Sequence, residues 1–129
     1  MLNHIMIGTN DLDEAKAFYT KVLGVLGPVK ALDNEQGGIK RVFFLSDGPL
    51  FSITQTQNGE PATGANGGTI GFKCSSPEQV KEFHDTAIAA GATSIEDPPG
   101  KRDTSMGPLH LSYFRDKAGN KICGIYAGE

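Results

Sequence analysis

The chain is written twice over, and that repetition constrains its architecture more than any single motif. The stretch HIMIGTNDLDEAKAFY from His4 and the stretch TIGFKCSSPEQVKEFH from Thr69 run in one register. An offset of 65 residues carries His4 to Thr69, Ile5 to Ile70, Ala15 to Val80 and Phe18 to Phe83. A second match, at an offset of 71, lays SDGPLFSIT from Ser46 against KAGNKICGIY from Lys117, so that Gly48 meets Gly119 and Ser52 meets Cys123. Each half is one supersecondary unit, and a function sits naturally where two such units face each other.

Local patterns give both halves the same plan. In the first, Ile5 and Ile7 alternate with His4, Met6 and Gly8, the period of a strand near residues 3–8. Asp11 then caps a helix, with Glu14 in the capping-box place and Leu12, Ala15, Phe18, Tyr19 and Val22 as its apolar stripe. Gly24 is the expected stop. Strands are expected near 24–32, 39–45 and 50–55, the last two joined by a tight turn at Ser46, Asp47 and Gly48. In the second half a strand near 69–74 leads to Ser76 as cap, Pro77 in the first turn and Gln79 in the capping-box place. Val80, Phe83, Ala87 and Ile88 supply the buried stripe, Gly91 ends the helix, and strands follow near 93–95, 110–115 and 120–127. Residues 58–68 read as the linker, and 97–108 as a longer loop carrying Lys101 and Arg102. The GANGG of the linker is not a phosphate loop, because a strand follows it where a helix N-terminus is required. The fold class is therefore α+β: two tandem βαβββ units in a single domain over 1–129, unit one about 1–57 and unit two about 69–129.

Composition narrows the partner. With 129 residues, 38% hydrophobic and 21% charged, the chain suits one globular domain with a real core. No stretch reaches the ~20 apolar residues of a membrane span, and the N-terminus meets a polar turn too early for a signal peptide, so a cytoplasmic protein is expected. Two cysteines, Cys74 and Cys123, agree with a reducing compartment. A formal charge of -3 gives no reason to expect nucleic acid or an anionic membrane as partner. A small molecule fits better.

Two βαβββ units, a first strand bearing His4 followed by NDLDEAKAFYTKVLG, and the final hairpin YFRDKAGNKICGIY resemble the glyoxalase / bleomycin resistance / extradiol dioxygenase group, the vicinal oxygen chelate superfamily, over essentially the whole chain. The resemblance implies curved mixed sheets around a pocket with helices on the outside. It implies four equivalent pocket positions, one from the first and one from the last strand of each unit, where metal-dependent relatives place His and Glu. The repeat puts those positions at His4, Ser52, Thr69 and Cys123, and only His4 is a standard ligand of that group. Relatives pair their units either within one chain or across a two-fold dimer, so a homodimer is expected.

The donors at those positions decide the chemistry. A catalytic divalent ion usually takes three protein ligands from His, Cys or carboxylates. Two of the four positions carry hydroxyls, and a slip of register restores nothing, since 64–74 contains no His, Asp or Glu. Glyoxalase-type isomerisation and extradiol cleavage are thereby disfavoured. No cofactor is expected; if a divalent metal binds, it does so at His4 with Cys123 or His110. Cys123 is expected to point into the pocket as a wall residue and Cys74 into the core, with His84 at the helix surface or boundary. His110 is a candidate to reach the pocket. Lys73, Lys40 and Arg41 are the polar candidates, and Lys73, on the face of Thr69 and Gly71, suits an anionic substrate. Candidate ligand-binding residues are thus His4, Ser52, Thr69, Lys73, His110 and Cys123, with His4 the catalytic candidate. Two functions follow: a metal-free small-molecule binder, or a lyase, isomerase or dioxygenase-type enzyme with an atypical or absent metal centre around His4.

Overall fold

The helices begin where the caps are. In the computed structural model, which describes residues 1–129, the Asp11 carboxylate accepts from the Glu14 amide at 3.0 Å and starts α1 (Leu12–Gly24). The Ser76 hydroxyl likewise accepts from the Gln79 amide at 3.1 Å, and Pro77 opens α2 (Pro77–Ala89). Both helices have 13 residues and coincide at the offset of 65. Neither capping box closes as its sequence suggests. Glu14 turns to Lys117 of the other unit at 3.2 Å, while Gln79 accepts from the Ser75 amide and donates to the Val25 carbonyl at 3.0 Å.

Helix ends follow backbone freedom. Gly91, at φ +109°, ends α2 as expected. Gly24 instead stays helical, Val25 is the cap, and the chain turns at Gly27, at φ +145°. The strand expected near 24–32 consequently starts later, as β2 (Lys30–Gln36).

Sheet one comprises β1 (His4–Gly8), β2, β3 (Ile39–Leu45) and β4 (Leu50–Thr54), in the order β1-β4-β3-β2, with β1 and β4 parallel and the rest antiparallel. Sheet two comprises β5 (Ile70–Lys73), β6 (Thr93–Ser94), β7 (Gly100–Thr104), β8 (Gly107–Arg115) and β9 (Lys121–Ala127). Its order is β5-β9-β8, with β6 and β7 both lying along β8. The loop expected over 97–108 is therefore corrected: 100–104 pair with 107–111 around Gly107, at φ +96°. GKRDT lacks the apolar alternation that announces a strand. Together β6 and β7 fill the place of β2, interrupted where Glu96 sits at φ +60° ahead of Pro98 and Pro99.

The register carries the repeat into three dimensions. Ser52 lies between Met6 and Phe43 in sheet one, and Cys123 lies between Gly71 and Tyr113 in sheet two. The two sheets are open and curved, do not pair with each other and close no barrel.

The helix-bearing, convex faces of both sheets meet in one core. Tyr19, Val22, Val42, Phe44, Phe51 and Ile53 of unit one form a single buried cluster with Cys74, Val80, Phe83, Ala87, Phe114 and Ile122 of unit two. Aromatic rings close a circuit through it: Phe18–Tyr19–Phe51–Phe72–Phe83–Phe114 and back to Phe18, with successive centroids 4.8 to 6.0 Å apart. A polar clasp holds the rim. The Tyr19 hydroxyl donates to Asp116 at 2.6 Å, and Asn120 donates to Asp116 and to the Gly8 carbonyl across the unit boundary.

Gly124 is where this core tolerates no side chain. A Cβ there would stand 2.9 Å from the Phe83 ring and 3.1 Å from the Ser112 hydroxyl, and Phe83 is fully buried with no room to yield. Gly124→Ala is expected to lower the unfolding free energy by about 1–3 kcal/mol, the usual cost of overpacking. Urea denaturation checks this, and a stability equal to the parent's contradicts the packing.

Candidate functional site

The faces turned away from the shared core carry the candidate residues. On the concave face of sheet one, strand parity aligns His4, Met6, Leu50, Ser52, Arg41 and Phe43. Met6, Leu32 and Leu45 are exposed there at 36%, 44% and 40%. On the concave face of sheet two stand Lys73, Lys121, Cys123, Ile125, Tyr113 and Leu111. Within one chain the four repeat-equivalent positions are thus split between two faces, His4 and Ser52 on one, Thr69 and Cys123 on the other.

His4 is exposed, and its side-chain partner is the neighbouring Asn3 amide oxygen at 2.8 Å. No carboxylate orients it, which a histidine general base normally needs. Ser52 is fully buried, with its hydroxyl donated to the Ile5 carbonyl at 3.2 Å. Thr69 is exposed just before β5. Lys73 is exposed at the end of β5 and makes no ion pair.

Cys123 has the densest surroundings. Tyr113 lies directly across the ladder, Lys121 stands 4.9 Å from the centre of the Tyr113 ring, and Glu96 pairs with Lys121. Burial pushes the Cys123 thiol above its usual range and Glu96 adds to the effect, against a lowering by the Tyr113 hydroxyl. Burial, and then the Cys123 sulfur, push the Tyr113 phenol up as well. A thiol held protonated is a poor nucleophile. Strand parity already places Lys121 on the face of Cys123; Tyr113 and Glu96 were missed as its neighbours, the first signalled by the hairpin's residue pattern, whereas Glu96 arrives only through the bend at φ +60°.

Two histidines depart from expectation. His110 shares its face with Ser112, Phe114 and Tyr126, on the helix side of sheet two, opposite Cys123. A centre joining His110 to Cys123 is therefore not formed. His84 is buried at 7%, not on the surface: its Nδ1 meets Asp85 at 3.0 Å and its Nε2 meets Ser94 at 2.8 Å, tying α2 to β6. Cys74 is buried in the core, as its parity with Ile70 and Phe72 implies.

The donor set does not fit a divalent centre. No three His, Cys, Asp or Glu side chains converge anywhere in the chain. One exposed imidazole, one buried thiol and two hydroxyls, of which Ser52's is already engaged, fall short of the three ligands such an ion requires.

The main apolar cavity lies elsewhere. A space of about 500 Å³ opens between β1, β4 and β5, lined by Ile5, Leu26, Phe51, Ile70, Phe72 and Lys73 among others. Of the six candidates only Lys73 borders it. It is an apolar groove between two strand edges, not a cluster of reactive groups.

The fold agrees with the comparisons. Residues 1–123 match the model of the Glyoxalase/Bleomycin resistance protein/Dioxygenase superfamily, and the chain belongs to that superfamily. It is similar to the crystal structure of a glyoxalase/bleomycin resistance protein from Albidiferax ferrireducens T118, at 46% identity and a TM-score of 0.88, covering 97% of this chain and 98% of that one. A lactoylglutathione lyase from Agrobacterium tumefaciens, 22% identical with a TM-score of 0.66 over 98% of this chain and 93% of that one, shares the fold. So does a glyoxylase/bleomycin resistance protein/dioxygenase domain from Frankia sp. EAN1pec, at 18% identity and 0.74, over 97% and 95%. No curated protein matches significantly. No helix is long and apolar enough to cross a membrane.

The thiols offer a direct check. Both cysteines are expected to resist labelling by Ellman's reagent at neutral pH in the native state and to react fully in urea; rapid stoichiometric labelling of native Cys123 contradicts the arrangement. Burial pushes Cys74 from 9.0 to about 11. A raised folded-state value means its contribution to stability is intact below pH 9 and lost as pH rises towards 11. Urea melts across that window should show the decline, flattened in Cys74→Ala.

Proposed function

We propose that this protein binds a small organic molecule without metal chemistry, in a cleft built from the concave face of unit one of one copy and the concave face of unit two of a second copy. The observation that carries this reading is the open, apolar concave face of sheet one, where Met6, Leu32 and Leu45 surround Phe43 without cover in the single chain. An uncovered apolar face of this kind marks a binding surface. The donor set at His4, Ser52, Thr69 and Cys123 is a degenerate metal site; His4, Thr69 and Cys123 serve as cleft wall, with Ser52 buried beneath it.

The homodimer rests on edges. β1 and β5 are outermost in their sheets, and an unpaired strand edge is a template for another chain. Between the two edges lies the apolar groove lined by Ile5, Phe51 and Phe72, which a second copy covers. A two-fold pairing of β1 with the partner's β5 would lay each concave face of unit one beside that of the partner's unit two, bringing together the four positions that a single chain keeps apart. An enzymatic reading centred on His4 has less support, since that exposed imidazole meets only the neighbouring Asn3 amide oxygen and no carboxylate.

Sedimentation at micromolar concentration is expected to show a dimer; monomer alone overturns the shared cleft. Elemental analysis of the purified protein is expected to find no stoichiometric divalent ion. One bound per chain and lost in His4→Ala would defeat the metal-free reading.

A further inference from the structure

We propose that the molecule received by this cleft is an organic oxyanion, a carboxylate, sulfonate or phosphate on an apolar body, and that Arg41 takes its anionic head. This rests on the binding reading above and names its ligand class. The first support is the distribution of charge. The chain carries a net charge of -3, yet no strand residue on either concave face is acidic. Strand parity places Lys30 and Arg41 on the concave face of sheet one, and Lys73, Arg102, Arg115 and Lys121 on that of sheet two. The strand carboxylates, Asp33, Glu35 and Asp103, all fall on the opposite faces. Glu96 alone reaches a concave face, and it is committed to Lys121. A cleft lined by one sign of charge concentrates ligands of the other.

The second support is Arg41 itself. Arg102 donates to the Gly100 and Asp97 carbonyls, each at 3.0 Å, and Arg115 to the Gly119 carbonyl at 2.9 Å. Arg41 has neither a hydrogen bond nor an ion pair, and its Nε is buried without a partner. Buried polar groups in folded proteins are nearly always satisfied, so a lone buried guanidinium nitrogen points to a missing acceptor. Its neighbours across the ladder, Thr54 and Asn34, are uncharged, and Asp33 and Glu35, which border a groove with it, make no ion pair to it. One rung away, Met6, Phe43 and Leu32 form an apolar floor. A guanidinium fork matches the two oxygens of a carboxylate, sulfonate or phosphate, and the floor accepts the body attached to it.

Two fluorescent probes with the same apolar body separate the terms: anilinonaphthalenesulfonate, which is anionic, and phenylnaphthylamine, which is neutral. Titration of the intact protein is expected to show the sulfonate bound about tenfold or more tightly than the amine, the range of a hydrogen bond to a charged group. Arg41→Gln should erase that difference while leaving the neutral probe's affinity unchanged, and Arg41→Lys should restore part of it. Equal affinities for the two probes in the parent protein overturn the proposal, as does an Arg41→Gln variant of native circular dichroism that still prefers the sulfonate. Binding of neither probe would instead defeat the binding reading on which this one stands.

Discussion

The structure depends on the aromatic circuit that joins the two units. Phe18, Tyr19 and Phe51 belong to the first unit and Phe72, Phe83 and Phe114 to the second, and their edge and tilted contacts run without a break from one sheet to the other. Each ring buries a large apolar surface, so the pairing of the units is dominated by the hydrophobic effect, with ring geometry adding direction. Gly124 belongs to the same constraint, because its missing side chain lets Phe83 approach the sheet. At the rim, Asp116 accepts from Tyr19 and Asn120, and Asn120 also holds the Gly8 carbonyl, so that rotation of one unit against the other would break buried hydrogen bonds.

This choice of contact determines where function can sit. With the convex faces consumed in the core, the concave faces look outward and the strand edges of β1 and β5 are left without partners. The residues that the duplication marks as equivalent, His4 and Ser52 against Thr69 and Cys123, lie on two different sheet faces of the single chain, and the dimer proposed above is what would bring them together. A duplicated chain can bury its two halves against each other or let them embrace a ligand; this chain does the first.

Much of this was legible in the sequence because it is local or periodic. The caps at Asp11 and Ser76, the equal helices, the strand parity of Ile70, Phe72 and Cys74, and the correspondence of Ser52 with Cys123 all follow from spacing, and all appear in the structure. Three features resisted. Gly24 is the last helical residue, but it does not make the turn itself: Val25 caps the helix, Val25 and Leu26 pack against the core, and the chain turns at Gly27. β7 is a polar strand whose pairing is set by its hairpin with β8 and not by its own pattern. His110 and His84 looked like free polar groups, but their environments are tertiary: one packs near Tyr126 on the helix side, the other bridges Asp85 and Ser94. The site was legible as a set of positions and missing donors. The charge segregation between faces, and the uncommitted Arg41, required the pairing of β2 with β3 to be seen.

In the binding mode proposed above, ligands engage the concave faces and not the groove between the units. Amide chemical-shift mapping by NMR, with anilinonaphthalenesulfonate added to the isotope-labelled protein, tests it most directly. The account predicts that the largest shifts fall on Met6, Arg41, Phe43, Ser52 and Cys123. Shifts confined to Leu26, Val29, Ile70 and Phe72, the walls of the groove, would contradict it.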